Sequence, residues 1–92
     1  MTTRQATVQN GHGIHCRPSA EIAKNAQTFA ADITVRSDSS EADAKQILPL
    51  ISLGLTQGAV VTVETEGPDE QKACERIVEL VETKFDFPPR DG

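Results

Sequence analysis

The stretch Gly11-His12-Gly13-Ile14-His15-Cys16-Arg17-Pro18-Ser19-Ala20-Glu21-Ile22-Ala23-Lys24-Asn25-Ala26-Gln27-Thr28-Phe29 decides how this chain is organised. Its two glycines mark a turn. Pro18 follows where proline suits a helix, in the first turn, because its missing N–H would find no intrahelical partner there. From Ile22 onward the apolar residues recur at steps of three and four, through Ala23, Ala26, Phe29 and Ala30. That spacing lines them up as one stripe, with Glu21, Lys24, Asn25 and Gln27 on the opposite side. The stretch predicts a turn feeding a helix over about residues 16–28, with a histidine at its mouth.

Outward from that helix, Gln5-Ala6-Thr7-Val8 reads as a short strand leading into the turn, and Ile33-Thr34-Val35-Arg36 as a β-branched second strand. Ser37–Ser40 is a turn cluster, after which residues 41–44 return as a short third strand. Gln46 to Leu53 is apolar nearly all round and holds Pro49, which fits the first turn or two of a short helix. Gly54 stands just past its end, where a left-handed residue is expected. Gly58 opens the strongest strand, residues 59–64. Asp69 is placed to cap a last helix whose buried stripe is Ala73, Cys74, Ile77, Leu80 and Val81, and Phe85–Pro89 ends it.

The order β-α-β-β-α-β-α predicts an α+β open-faced sandwich, a four-stranded antiparallel sheet with three helices on one face. The first helix would carry a right-handed crossover between the first two strands. The other sheet face would meet water, which suits Thr7, Thr34, Thr62 and Glu64 among the apolar strand positions. One domain is expected over residues 1–86, with a C-terminal tail at 87–92.

Composition narrows the functions. With three Phe and neither Trp nor Tyr, the core of this 92-residue chain must be aliphatic. No apolar run approaches the roughly 20 residues of a membrane span, and the polar start lacks a signal peptide's apolar segment. Two cysteines, Cys16 and Cys74, do not make a secreted disulfide framework, so a reduced cytoplasmic protein is expected. Residues 1–36 set four basic side chains against two acidic ones, whereas residues 37–92 set five against twelve. Nothing forms a broad basic face, which argues against nucleic acid. A small positive patch on an acidic chain suits a discrete anion or an acidic protein surface.

A helix N-terminus presents unpaired N–H groups and a partial positive charge, so it favours anions. A histidine just before it should be neutral and nucleophilic near pH 7, because the positive end disfavours the imidazolium. A phosphate on that ring would fall among N–H donors, with Arg17 near enough to neutralise charge. His12-x-x-His15-Cys16 also gathers three possible metal ligands, but the further Cys or His of a structural zinc site are missing. Cys16 at a helix start invites thiol chemistry, though no resolving cysteine lies near it. Neither a metal nor a cofactor is expected.

G-x-H-x-R-P followed by A-x-x-A-x-x-F, then A-K-x-I near position 45, L-G-L, G-A and G-x-D-E-x-x-A resembles the HPr family. These are the histidine-containing phosphocarriers of the bacterial phosphoenolpyruvate-dependent phosphotransferase system. The likeness covers about residues 4–84 with its spacings in register.

The resemblance implies that His15 accepts a phosphoryl group at Nδ1 from phosphorylated enzyme I and passes it to a sugar-specific or regulatory acceptor domain. It implies that Arg17 steadies the phosphohistidine, and that the N–H groups of Cys16 and Arg17 hold its oxygens. It places docking on Ile47, Leu48 and Ile51 of the second helix, rimmed by Lys24 and Lys45, and it implies a carrier that is no stand-alone catalyst and works as a monomer. An intact acceptor histidine serves a transport carrier and a purely regulatory phosphoprotein alike. This chain departs from the pattern at four places. Cys16 replaces the usual Ala. Gln46 stands where many members carry a serine that a kinase phosphorylates, and Ser37, Ser39, Ser40 and Ser52 are out of register with it. Gln27 and Pro49 stand where relatives often have Lys.

Overall fold

A computed structural model of the chain describes residues 1–9, 16–38 and 40–83. The elements run β1 (Thr2–Thr7), α1 (Cys16–Ala26), β2 (Asp32–Arg36), β3 (Glu41–Asp43), α2 (Ile47–Ser52), β4 (Val60–Glu66) and α3 (Glu70–Val81). The turn before α1, Ser39 and the predicted tail lie outside the described residues. The sheet order is β1-β4-β2-β3 with every neighbouring pair antiparallel. β1 and β2 therefore run parallel with β4 between them, and β3 and β4 run parallel with β2 between them. α1 and α2 are the crossovers of these two interleaved units.

Alternation along the strands assigns the two sheet faces. Ala6, Ile33, Val35, Ala42, Val61, Val63 and Thr65 are buried on the face that carries the helices. Thr7, Thr34, Thr62 and Glu64 fall on the uncovered face, as the sequence predicts. There Arg36 spans three strands, bonding Glu64 on β4 at 2.7 Å and Glu41 on β3 at 3.2 Å. Those two carboxylates, Glu41 first, raise the guanidinium's pKa.

The helices close the core with small side chains. Ala23 and Ala26 of α1 and Ala73 of α3 are fully buried beside Ile22 and Ile77. The predicted stripe of α3 is buried in full, with Val78 added. Thr65, the buried polar residue under that helix, donates from Oγ1 to the Glu70 carbonyl at 2.8 Å. Cys74 contacts the Val63 carbonyl through Sγ at 3.6 Å, and burial pushes its thiol pKa up.

Element ends differ from the sequence reading in instructive ways. β1 begins three residues earlier, at Thr2, because pairing with β4 holds the polar residues Thr2–Gln5 extended. α1 ends at Ala26 rather than near Thr28, and the bonds from Thr28 and Phe29 to Asn25 and Ala26 tighten to a three-residue step. Ala30, assigned to the buried stripe of α1, is instead exposed because the chain has already left the helix. Gly54 follows α2 with φ +64°, the left-handed residue expected there.

Asp69 occupies the N-cap position of α3, but its carboxylate makes no cap bond. Its oxygens accept instead from the N–H groups of Ala30 and Ala31, at 2.9 and 2.8 Å. Gly67 makes this approach possible. Its φ is +149°, and a Cβ there would stand 2.7 Å from the Ala31 Cα. Glu70 in turn accepts from Thr2 Oγ1 at 2.7 Å, from the Met1 ammonium at 3.0 Å and from the Gly67 N–H at 3.1 Å.

The bonds to Ala30 and Ala31 lower the Asp69 pKa, and the Thr2 hydroxyl, the ammonium and Gly67 lower that of Glu70 to about 2. A carboxylate with a depressed folded pKa stabilises the fold above its unfolded pKa and stops doing so as acid protonates it. Melting temperature should thus fall as pH drops, for Glu70 across the window from 4.5 to about 2. Asp69→Asn and Glu70→Gln should each melt lower at pH 7 and lose less on acidification. An acid limb unchanged in both variants would place the acid sensitivity elsewhere.

α2 turns one leucine inward and another outward. Leu50 is 1% exposed and Leu48 is 74% exposed. Leu50→Ala should cost about 2–5 kcal/mol in urea unfolding, as buried leucine truncations do. Leu48→Ala should stay within about 0.5 kcal/mol.

Candidate functional site

α1 begins at Cys16, so the helix starts at the residue after His15. The N–H groups of its first turn, those of Cys16 and Arg17 among them, have no intrahelical acceptor and lie at the positive end of the helix. His12 and His15 lie outside the described residues, as do the side chains of Cys16, Arg17 and Pro18. What the described structure supplies is the seat of the helix. Ser19, Ile22, Ala23 and Ala26 are all buried, so α1 has one face turned into the core, where it packs beside α3 and α2. The Ser19 hydroxyl has no hydrogen-bond partner among the described residues.

The far end of α1 is fastened by side chains from three other segments. Asp69 holds Ala30 and Ala31, as described above. Lys45 donates from Nζ to the Phe29 carbonyl at 3.0 Å, and Gln27 donates from Nε2 to the Lys45 carbonyl at 2.9 Å. Arg76 of α3 reaches Asn25 Oδ1 at 3.1 Å. Lys45, expected as a rim cation, therefore has its ammonium on a backbone carbonyl. Lys24 is exposed and makes no ion pair among the described residues.

α2 lies against α1 and β3. Ile47 and Leu48 are exposed and Ile51 is half-buried. Pro49, the third residue of α2, is exposed between them and belongs to the same surface. Its signal in the sequence was its position between Leu48 and Leu50, which spacing alone did not resolve. Gln46 caps α2 in an extended conformation, with φ −117° and ψ 124°, and is exposed. Alongside α1, α2 thus presents an exposed apolar surface formed by Ile47, Leu48 and Pro49.

Among the described residues no three His, Cys, Asp or Glu side chains are grouped to hold a metal ion. The His12, His15 and Cys16 side chains fall outside them. No helix among the described residues is long and apolar enough to cross a membrane.

The family model described as the PTS HPr component phosphorylation site matches residues 2–83. The phosphocarrier protein HPr of Vibrio cholerae is 42% identical over 82 residues, covering 89% of this chain and 96% of that protein. That of Haemophilus influenzae is 39% identical over 83 residues, covering 90% and 98%. Among solved structures, HPr from Thermoanaerobacter tengcongensis superposes with a TM-score of 0.83 at 36% identity, covering 88% of this chain and 91% of that one. With its fold, its motif and these matches in agreement, the chain belongs to the HPr family, the phosphocarriers of the phosphotransferase system.

Proposed function

We propose that this chain accepts a phosphoryl group from phosphorylated enzyme I on His15 and delivers it to sugar-specific or regulatory acceptor domains in the cytoplasm. The observation that carries this reading is the G-x-H-x-R-P motif in register with a helix that begins at Cys16, within a family match spanning residues 2–83. The neutral Nδ1 of His15 attacks the phosphorus, an N–P bond forms, and enzyme I leaves with the electron pair of its own broken P–N bond. The first-turn N–H groups and Arg17 take up the charge on the phosphoryl oxygens. Ile47, Leu48 and Ile51 hold the partner beside the transfer site.

Incubation with phosphoenolpyruvate and enzyme I should give one acid-labile phosphate by mass, lost in His15→Ala and kept in His12→Ala. Labelling that survives in His15→Ala and vanishes in His12→Ala would falsify the assignment. A charge-assisted pair between Arg17 and the phosphate contributes about 1.5–3 kcal/mol. Arg17→Ala should therefore keep its melting temperature while transfer at saturating enzyme I slows roughly 10- to 100-fold, at about 1.4 kcal/mol per decade. Full recovery at saturation would make Arg17 a docking residue.

Gln46 has no hydroxyl, so an HPr-type serine kinase with ATP should leave the chain unmodified. Stable phosphate on any serine between Ser37 and Ser52 would show that another site serves.

A further inference from the structure

We infer that Lys45 and Gln27 are positioning residues for phosphoryl transfer. Together they clamp the start of α2 to the end of α1, which sets how a seated partner faces the N-terminal end of α1. The inference rests on the carrier reading and deepens it at residues far from the reacting atoms.

α2 has little of its own to hold it at one angle. It has six residues, too few for a helix that is stable by itself. Its N-cap residue, Gln46, makes no side-chain cap bond. Among its six side chains Leu50 alone is buried, with Ile51 half-buried beside it. A single buried side chain keeps a short helix from lifting away but resists swivelling poorly. A second attachment is needed.

Lys45, two residues before α2 begins, supplies it with Gln27, the first residue after α1. The Gln27 amide donates from Nε2 to the Lys45 carbonyl at 2.9 Å, and the Lys45 ammonium donates back to the Phe29 carbonyl at 3.0 Å. These bonds run in opposite directions between the same two segments, across 18 and 16 residues of chain. Two bonds anchored at different points resist the rotation that one would allow. The aim of the ammonium is selective. Asp43 stands two residues away, yet its carboxylate takes the Lys45 N–H at 2.9 Å and the ammonium goes to Phe29. Lys45 makes no ion pair among the described residues. Its charge-assisted, part-buried bond is the firmer half of the clamp, and the exposed Gln27 bond the weaker.

Gln27 follows an eleven-residue helix, so the clamp lies about 16 Å along α1 from Cys16. It touches nothing that reacts. It acts through α2. If α2 swivels about Leu50, Ile47 and Leu48 move against the N-terminal end of α1, and a partner seated on them moves too. A misplacement of about 1 Å, caused far from the chemistry, can cost roughly 100-fold in rate. Affinity is a different matter, because the same side chains are buried at either angle. Losing the clamp should therefore slow transfer within the complex and leave formation of the complex nearly unchanged. A cation that merely met the partner would give the opposite pattern, a change in association that disappears at saturation.

The test measures transfer from phosphorylated enzyme I by rapid quench over a range of enzyme I concentrations. The chains compared are wild type, Lys45→Met, Gln27→Met, the double variant and Lys45→Arg. Methionine keeps an unbranched side chain of similar length and removes the donor. The saturated rate should fall roughly tenfold in Lys45→Met and in the double variant, and about threefold in Gln27→Met. The half-saturating concentration should stay within about twofold of wild type. Lys45→Arg keeps a charged donor and should recover most of the rate. A wild-type saturated rate in the double variant overturns the inference and leaves the carrier reading standing. A rise in the half-saturating concentration alone makes the two residues docking contacts and overturns it as well. So does a loss that Lys45→Arg shares in full, because the ammonium bond is then not what acts. If Lys45→Met does not fold, Gln27→Met decides by the same two quantities. A wild-type chain that takes up no phosphate overturns the carrier reading, and the inference with it.

Discussion

The carboxylate of Asp69, accepting from the N–H groups of Ala30 and Ala31, fixes where the chain leaves α1 and enters β2. Those two N–H groups fall between a helix and a strand, where neither ladder supplies an acceptor, and leaving them unpaired would be costly. Gly67 lets the β4–α3 connection come close enough to Ala31 for the bond to form. Lys45 fixes the neighbouring Phe29 carbonyl from the other side. Three connections therefore meet at one end of α1. An eleven-residue helix is a rigid rod of about 16 Å, so holding this end and the buried stripe also determines where Cys16, at the opposite end, must lie. The polar corner and the N-terminal end of α1 are coupled through the helix without touching.

Small side chains explain why that corner matters. Ala23, Ala26 and Ala73 of the helices and Ala6, Val63 and Val35 of the strands are buried in one core. Alanine contributes little burial of its own and helps by letting backbones approach. Close approach is worth something only if the elements are held in register, and the bonds from Asp69, Lys45 and Glu70 supply that. The open sheet face does less. Arg36 bridges β3, β2 and β4, but exposed ion pairs of this kind typically contribute under about 1 kcal/mol.

What the sequence disclosed followed from how local the signal was. α3 was legible because Ala73, Cys74, Ile77, Leu80 and Val81 repeat at helical steps over three turns. β4 was legible from its unbroken β-branched run. The first half of β1 was not, since Thr2–Arg4 has no apolar alternation and is a strand through pairing with β4. Asp69 looked like a cap because capping is the local use of such a residue. Its actual partners are 38 and 39 residues away, beyond any local pattern. In α2 every position but Ser52 is apolar, so periodicity could not say that Leu50 faces in and Leu48 out. The expectation for His15 rests on its motif and its place before Pro18, both read from the sequence.

On the proposed reading, α1 and α2 divide the work of a carrier between two kinds of force. Holding a phosphoryl group needs charge and oriented N–H donors, which a helix N-terminus supplies only over its first turn. Recognition next to it by further charges would compete for the same anion and would change each time the group arrived or left. Apolar contact does not respond to that change. A carrier must also leave each partner soon after transfer, and tuning of related complexes lies mostly in their dissociation rates. A single exposed leucine flanked by Ile47, Pro49 and Ile51 gives a contact small enough to release quickly. Donor and acceptor must both seat on that same short helix beside His15, so they can bind only in turn. Alternation between them then follows from the size of the surface, with no conformational switch required of this chain.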